Sequence, residues 1–198
     1  MKDFWNERYS NSEYVYGREP NRFFRQVIDR LSPAKLLLPG EGEGRNAVYA
    51  AKQGWDVHAF DYSEEAKKKA FALAKENHVK IDYQLSSADA ISLPEDSFDA
   101  AALIFVHLPK DDFQALLRKI ISSLKSGGRL MVEAYSEKQL GRDTGGPKSK
   151  ELLFTLDEMN SWLSNLELRL LEEKKVYLEE GIHHTGEAVV IQAIGIKP

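Results

Sequence analysis

The residues best suited to chemistry are a glycine loop and one aspartate. Pro39-Gly40-Glu41-Gly42-Glu43-Gly44 places glycine at alternate positions. That spacing lets a backbone turn tightly and approach a ligand without Cβ interference. Asp61 follows Phe60 and stands 61 − 40 = 21 residues after Gly40. At that spacing an acidic side chain meets a ribose hydroxyl pair. A lone carboxylate closing an apolar strand is costly unless something pairs with it. The loop alone is a weak signal. With the aspartate and a following helix it points to a bound nucleoside.

Two nucleoside ligands compete for such a loop. Gly42-x-Gly44-x-x-Ala47 fits the dinucleotide fingerprint, which would make the chain an NAD(P)-binding oxidoreductase. A pyrophosphate would bring negative charge against Glu41 and Glu43. S-adenosylmethionine carries a sulfonium and an ammonium instead, which acidic neighbours suit. Little of this sequence follows the last core strand, so a separate hydride-acceptor domain is not expected. The reading adopted is therefore S-adenosylmethionine, with a non-catalytic cofactor-binding or regulatory protein as a further alternative.

The site needs elements to position it. Lys35–Pro39 reads as a buried strand, Arg45–Gln53 as a helix ended by Gly54, and Asp56–Phe60 as the strand leading to Asp61. Ser63–Asn77 is a helix that Ser63 caps, with Ala66, Ala70, Leu73 and Ala74 on one face. Ile81–Leu85 and Phe98–Val106 are strands, the second apolar enough to be central. Lys110–Leu124 is an amphipathic helix, and Gly127-Gly128 turns into a fifth strand, Arg129–Tyr135. Ser136–Lys150 reads as a long loop, Leu156–Leu163 as a short helix. Glu167–Leu178 and Ala188–Ile196 form an antiparallel hairpin at one edge. The expected fold is α/β: seven strands in a mostly parallel sheet, helices on both faces, and a C-terminal hairpin.

Composition limits the function classes. The 198 residues suit one domain (1–198), with a cofactor core at 35–135 and an acceptor-side region at 136–198. A net charge of −4 disfavours a nucleic-acid backbone as partner. The basic run Lys67-Lys68-Lys69 lies among Glu64, Glu65 and Glu76 and reads as a solvated helix face. The longest apolar run, Ala100–Val106, is far below the roughly 20 residues of a membrane span. Met1–Asn11 carries no visible leader, so the cytoplasm is the expected compartment. With no cysteine there is no disulfide or thiolate ligand, and the adjacent His183-His184 is poor geometry for a metal; no metal is expected.

The glycine loop with Arg45-Asn46-Ala47, Asp61-Tyr62-Ser63 and Ala88-Asp89-Ala90 resembles the class I methyltransferases, whose fold is Rossmann-like. Phe4-Trp5-Asn6-Glu7-Arg8-Tyr9, Tyr14-Val15-Tyr16-Gly17, Glu19-Pro20-Asn21, Gly145-Gly146-Pro147-Lys148, Glu180-Gly181, His184 and Gly186 are most similar to the small bacterial group related to tellurite-resistance and thiol methyltransferases. The resemblance implies methyl transfer from S-adenosylmethionine to a small molecule, such as a thiol or a metalloid oxyanion or chalcogenide. It places Gly40 and Gly42 beside the methionine part and Asp61 on the ribose. Tyr62 and Ser63 follow it beside the adenine, Asp89 accepts from the adenine amino group, Ala90 offers its N–H, and Val106 lies beneath the cofactor. Many relatives have an acidic residue where this chain has Leu38, so Glu41 is the candidate for the cofactor's ammonium.

A soft anionic acceptor needs no protein base, whereas an oxygen or amine acceptor benefits from one. His107, just past the fourth strand, and His184, in the hairpin turn, are the candidates; either could equally be a hydrogen-bonded loop histidine. The aromatic leader Met1–Pro20 has no clean period and is expected to act as a lid.

Overall fold

Short apolar segments alternate with amphipathic ones along the first two thirds of the chain, and each finds its counterpart in the computed structural model, which describes residues 2–198. Met1 of the expected lid lies outside them. Helix α1 spans Lys2–Tyr9 and α2 Arg22–Ile28, followed by β1 (Lys35–Pro39), α3 (Arg45–Lys52), β2 (Asp56–Asp61), α4 (Glu64–Glu76) and β3 (Asp82–Leu85). Then come β4 (Phe98–Ile104), α5 (Lys110–Ser123), β5 (Leu124–Tyr135), α6 (Leu156–Trp162), β6 (Glu167–Glu179) and β7 (Thr185–Ile196). The seven-stranded sheet runs β3-β2-β1-β4-β5-β7-β6. Its first five strands are parallel, and β7 is antiparallel to both β5 and β6. Strand order reverses between β1 and β4, and the crevice beyond their C-terminal ends is where open α/β sheets bind ligands.

Alternation within the strands divides the core. Leu37, Phe60, Leu103 and Val132 face α5 and α6, where Phe113, Leu116, Leu117, Ile120 and Met159 are buried. Leu36, Leu38, Ala59 and Met131 face the other way, against Phe23, Phe24 and Ile28 of α2 and Ala47, Ala50 and Ala70 of α3 and α4. Leu38 is thus a core side chain.

Two strand bounds are corrected. The fourth strand ends at Ile104 rather than Val106, because Phe105 adopts φ +53° and turns the chain. The fifth strand begins at Leu124, which pairs with Phe98, and the residues before Arg129 bulge out of register. The leader forms α1 although it has no clean period, and α2 follows with Asn21 as N-cap, its side chain accepting from the Phe24 N–H. The 136–150 loop also contains a short 3₁₀ turn at Glu137–Gln139. No described helix is long and apolar enough to cross a membrane.

Candidate active site

The glycine loop is held from three sides. Gly40, Gly42 and Gly44 all have positive φ, between 60° and 89°. A Cβ on Gly44 would lie 2.7 Å from the Ala70 Cβ, so this glycine lets α3 pack on α4. The Gly42 N–H donates to Asp61 Oδ2 (3.2 Å), and the Tyr83 hydroxyl donates to the Gly42 carbonyl (2.7 Å). Asp61 Oδ1 accepts from the Ser63 N–H (2.9 Å). Both carboxylate oxygens are anchored, and each retains a lone pair for a ligand. Burial raises the Asp61 carboxyl to about 6, against the opposing pull of the Ser63 and Gly42 N–H groups.

The two loop glutamates diverge. Glu43 is buried with its carboxylate on Lys69 (2.7 Å) and the Tyr16 N–H (3.3 Å). Its charge is therefore neutralised locally, which removes half of the charge argument against a dinucleotide. Glu41 replaces it with a better one. Glu41 Oε1 accepts from the Ala47 N–H at 2.7 Å, inside the first turn of α3. A helix N-terminus is where a pyrophosphate would sit, and here the protein's own carboxylate occupies it. Burial raises Glu41 to about 7, opposed first by that Ala47 bond.

The remaining cofactor candidates lie along the same side. Val106 packs against Gly40, where an added Cβ would lie 3.1 Å from Val106 Cγ2. Asp61, Tyr62 and Val106 share one small void with Gly40. Tyr62, Ser87, Asp89 and Lys119 line a neighbouring cavity of about 440 Å³. Asp89 and Ala90 are exposed at its edge. The Ser63 hydroxyl caps α4 and donates to Asn6 Oδ1 (2.7 Å), tying α1 to the core.

Helix α1 covers the crevice. Tyr9 is buried, and a Cβ on Gly42 would lie 2.8 Å from its hydroxyl. Trp5 stacks on Tyr9 (5.4 Å between centroids) and leans on His107 (5.9 Å). Beneath α1 two voids of about 50 Å³ each remain, against roughly 300 Å³ or more for a cofactor-sized ligand.

His107 and His184 come together, as two histidines 77 residues apart (184 − 107) lining the same pocket. His184 is buried among Tyr16 (4.5 Å), Phe105 (4.8 Å) and Tyr135 (5.6 Å). His184 Nδ1 lies 3.7 Å from Glu180 Oε2, too far for a hydrogen bond. Burial lowers the pKa of His184, and it pushes His107 down to about 3. Both imidazoles are neutral near pH 7. His107 Nε2, His184 Nδ1 and the Tyr135 hydroxyl are buried without partners. Three orphaned polar groups in one place suggest a site meant to be completed by a ligand.

Sequence reasoning missed the polar network behind His184. Arg45 Nη2 donates to Glu180 Oε2 (2.7 Å), and Asn21 Nδ2 donates to Glu180 Oε1 (3.0 Å) and Glu133 Oε2 (2.6 Å). Gln192 Nε2 donates to Glu133 Oε1 (2.5 Å). Burial pushes the Glu180 carboxyl up, but contact with His184 and the Arg45 guanidinium prevails and holds it at about 2. For Glu133 burial wins, raising it to about 7. Asn21, Arg45 and Glu180 stood among the motif residues, but nothing local joined them or pointed to Glu133 and Gln192. Among the described residues no group of acidic, histidine or cysteine side chains could hold a metal ion.

Comparison with known proteins follows this geometry. Residues 37–128 match the sequence profile of a family described as a methyltransferase domain. The chain is 24% identical over 140 residues to the probable S-adenosyl-L-methionine-dependent methyltransferase TehB of Haemophilus influenzae, covering 68% of this chain and 46% of that protein. It is 27% identical over 154 residues to hemagglutinin 1 of Eikenella corrodens, covering 75% and 49%. It thus spans about half the length of these relatives. The crystal structure of TehB from Haemophilus influenzae superposes with a TM-score of 0.76 at 17% identity, over 100% of this chain and 67% of that one.

Proposed function

We propose that the chain, whose residues 37–128 match a methyltransferase domain, transfers the methyl group of S-adenosylmethionine to a small molecule held beside His107 and His184. The observation that carries this reading is the Asp61 carboxylate, fixed by Gly42 and Ser63 at the mouth of the crevice, with Glu41 filling the anion site of α3. Asp61 takes the ribose hydroxyls. Gly40 and Gly42 face the methionine part over Val106, and the free oxygen of Glu41 takes the ammonium. The adenine lies by Tyr62, with Asp89 and Ala90 on its edge.

The donor supplies an electrophilic methyl: the acceptor's lone pair forms the new bond to carbon while the carbon–sulfur pair leaves on sulfur, giving S-adenosylhomocysteine. The chain's own part is alignment and water exclusion, and orientation alone contributes about 7–11 kcal/mol. With an oxygen, amine or thiol acceptor, the proton passes to the neutral imidazole of His184 and from there to solvent. Turnover of methyl-labelled donor against thiols, metalloid oxyanions, small amines and phenols tests this. At least one small acceptor should be methylated faster than any protein or RNA. Donor binding without turnover on any acceptor would favour a non-catalytic binding protein.

Ionised Asp61 accepts from the ribose and ionised Glu41 takes the ammonium, so donor affinity should be level only above about pH 8. It should fall as Glu41 protonates near 7 and more steeply as Asp61 protonates near 6. Asp61→Asn should bind weakly at every pH and keep only the part of the slope near pH 7. A wild-type profile flat from pH 8 to 5 would remove Asp61 from the ribose.

The segment 1–20 acts as the lid. Because α1 closes on Gly42 and leaves only small voids, it must withdraw to admit the donor. Deleting residues 1–9 should then slow turnover by at least about tenfold through lost alignment. The thermal midpoint should fall by only a few degrees. His184→Ala should depress turnover and leave donor affinity nearly intact. Equal losses of turnover and donor affinity would make His184 a cofactor contact.

A further inference from the structure

Beyond Trp5 and His107 a cavity of about 710 Å³ opens between α1, the 142–149 loop and the β6–β7 turn. That is the size of a drug-like ligand site. A thiol of a few atoms or a metalloid oxyanion would fill only the space of a few waters, at about 30 Å³ each. The rest would stay wet beside the transferring methyl, against the need to exclude water.

The walls have a definite chemistry. Trp5 and Tyr16 line them with aromatic surface. At the mouth Phe4 and Ile182, 51% and 66% exposed, add apolar surface to the rim. Arg8 lies over the rings of Phe4 (4.5 Å) and Trp5 (5.4 Å), and its Nη1 donates to the Tyr16 hydroxyl (2.9 Å).

No carboxylate pairs with Arg8 or with Lys148 across the cavity among the described residues, although Arg142 nearby is paired with Glu187. Arg8 lines this cavity and neither of the inner voids around Gly40. Burial chiefly disfavours the protonated forms of His107 and His183, and the Arg8 charge adds to it. Among the described residues the aromatic chamber thus holds a guanidinium with no carboxylate partner, although the Asp143 carboxylate also lines it.

We infer that the acceptor is an aromatic compound of one or two rings bearing a carboxylate, with the anion on Arg8 and the ring against Trp5 and Tyr16. The inference rests on the methyltransferase reading. Arg suits a planar carboxylate because its donors form a bidentate fork.

The test uses the full chain and four probes: 3,4-dihydroxybenzoate and 4-mercaptobenzoate, each against its methyl ester. Sodium selenite and 2-mercaptoethanol serve as minimal acceptors. S-adenosylhomocysteine binding is first measured by calorimetry, then kcat and KM for each acceptor. The free acids should show KM values at least about tenfold below their esters, as one charge-assisted contact implies. Arg8→Met should erase that preference while the KM for the donor stays put, and Arg8→Lys should restore part of it. Lys148→Ala, on an exposed loop, should raise the acid KM about threefold even if the Arg8 variants fold poorly.

A higher kcat/KM for selenite or 2-mercaptoethanol than for either acid would overturn the inference. So would an Arg8→Met variant whose loss falls on the donor KM, which would give Arg8 to the cofactor. Failure of S-adenosylhomocysteine to bind at all would instead overturn the methyltransferase reading beneath it.

Discussion

Asp61→Ala should weaken binding of S-adenosylmethionine by at least a hundredfold while leaving a folded protein. In the proposed site the carboxylate would give two ribose hydroxyls charge-assisted hydrogen bonds, each worth about 1.5–3 kcal/mol. It also fixes the Gly42 and Ser63 N–H groups, so its loss loosens the glycine loop and the cap of α4 together. The fold should survive because burial disfavours this carboxylate when ionised, as its raised pKa records; removing it relieves that cost. Calorimetry paired with a thermal melt checks both halves. Affinity within threefold of wild type would place the ribose elsewhere.

Glu180→Ala should have the largest effect on stability. Arg45 and Glu180 are both almost fully buried, with side chains 8% and 9% exposed, and bond at 2.7 Å. Removing the carboxylate leaves a guanidinium in a dry interior, which costs about 3–5 kcal/mol. For a domain of this size that lowers the thermal midpoint by about 6–20 °C. Asn21 loses one acceptor at the same time, while Glu133 still holds its amide. Replacing both members, Arg45→Leu with Glu180→Leu, should recover much of the loss, because no charge is then stranded. A single variant that melts within 2 °C of wild type would mean that water reaches the pair.

What could be read from the sequence is what has a local cause. β1, β2 and α4 follow from apolar runs, from the small-residue face at Ala66, Ala70, Leu73 and Ala74, and from Ser63 as cap. The hairpin of β6 and β7 follows from two extended runs around a turn-rich segment. Helix α1 escaped because its residues carry no amphipathic period. It is held by Trp5 and Tyr9 against the crevice and by Asn6 on Ser63, contacts visible only once the chain is folded. Val106 leaves the strand because Phe105 turns in the left-handed region, a conformation that no apolar run announces and that a bulky residue adopts only under constraint.

The site divides along the same line. Gly40, Gly42 and Asp61 were legible through spacing, since a loop and a strand end repeat at a fixed distance. The directions of Glu41 and Glu43 were not, because neighbouring residues on a tight loop point to different partners: α3 for one, Lys69 for the other. Nor could Asn21, Glu133 and Glu180 be joined from sequence. They are 112 and 159 residues apart along the chain and meet only because β5, α2 and the β6–β7 turn converge behind His184.

The central claim is that the glycine loop holds S-adenosylmethionine. One calorimetric comparison tests it most directly, titrating the full chain with S-adenosylmethionine, S-adenosylhomocysteine, NAD and NADP in parallel. With Glu41 filling the α3 anion site, the two adenosyl compounds should bind saturably at one site per chain, and the dinucleotides should give no saturable heat. Tight binding of NAD or NADP with no response to S-adenosylmethionine would contradict the account.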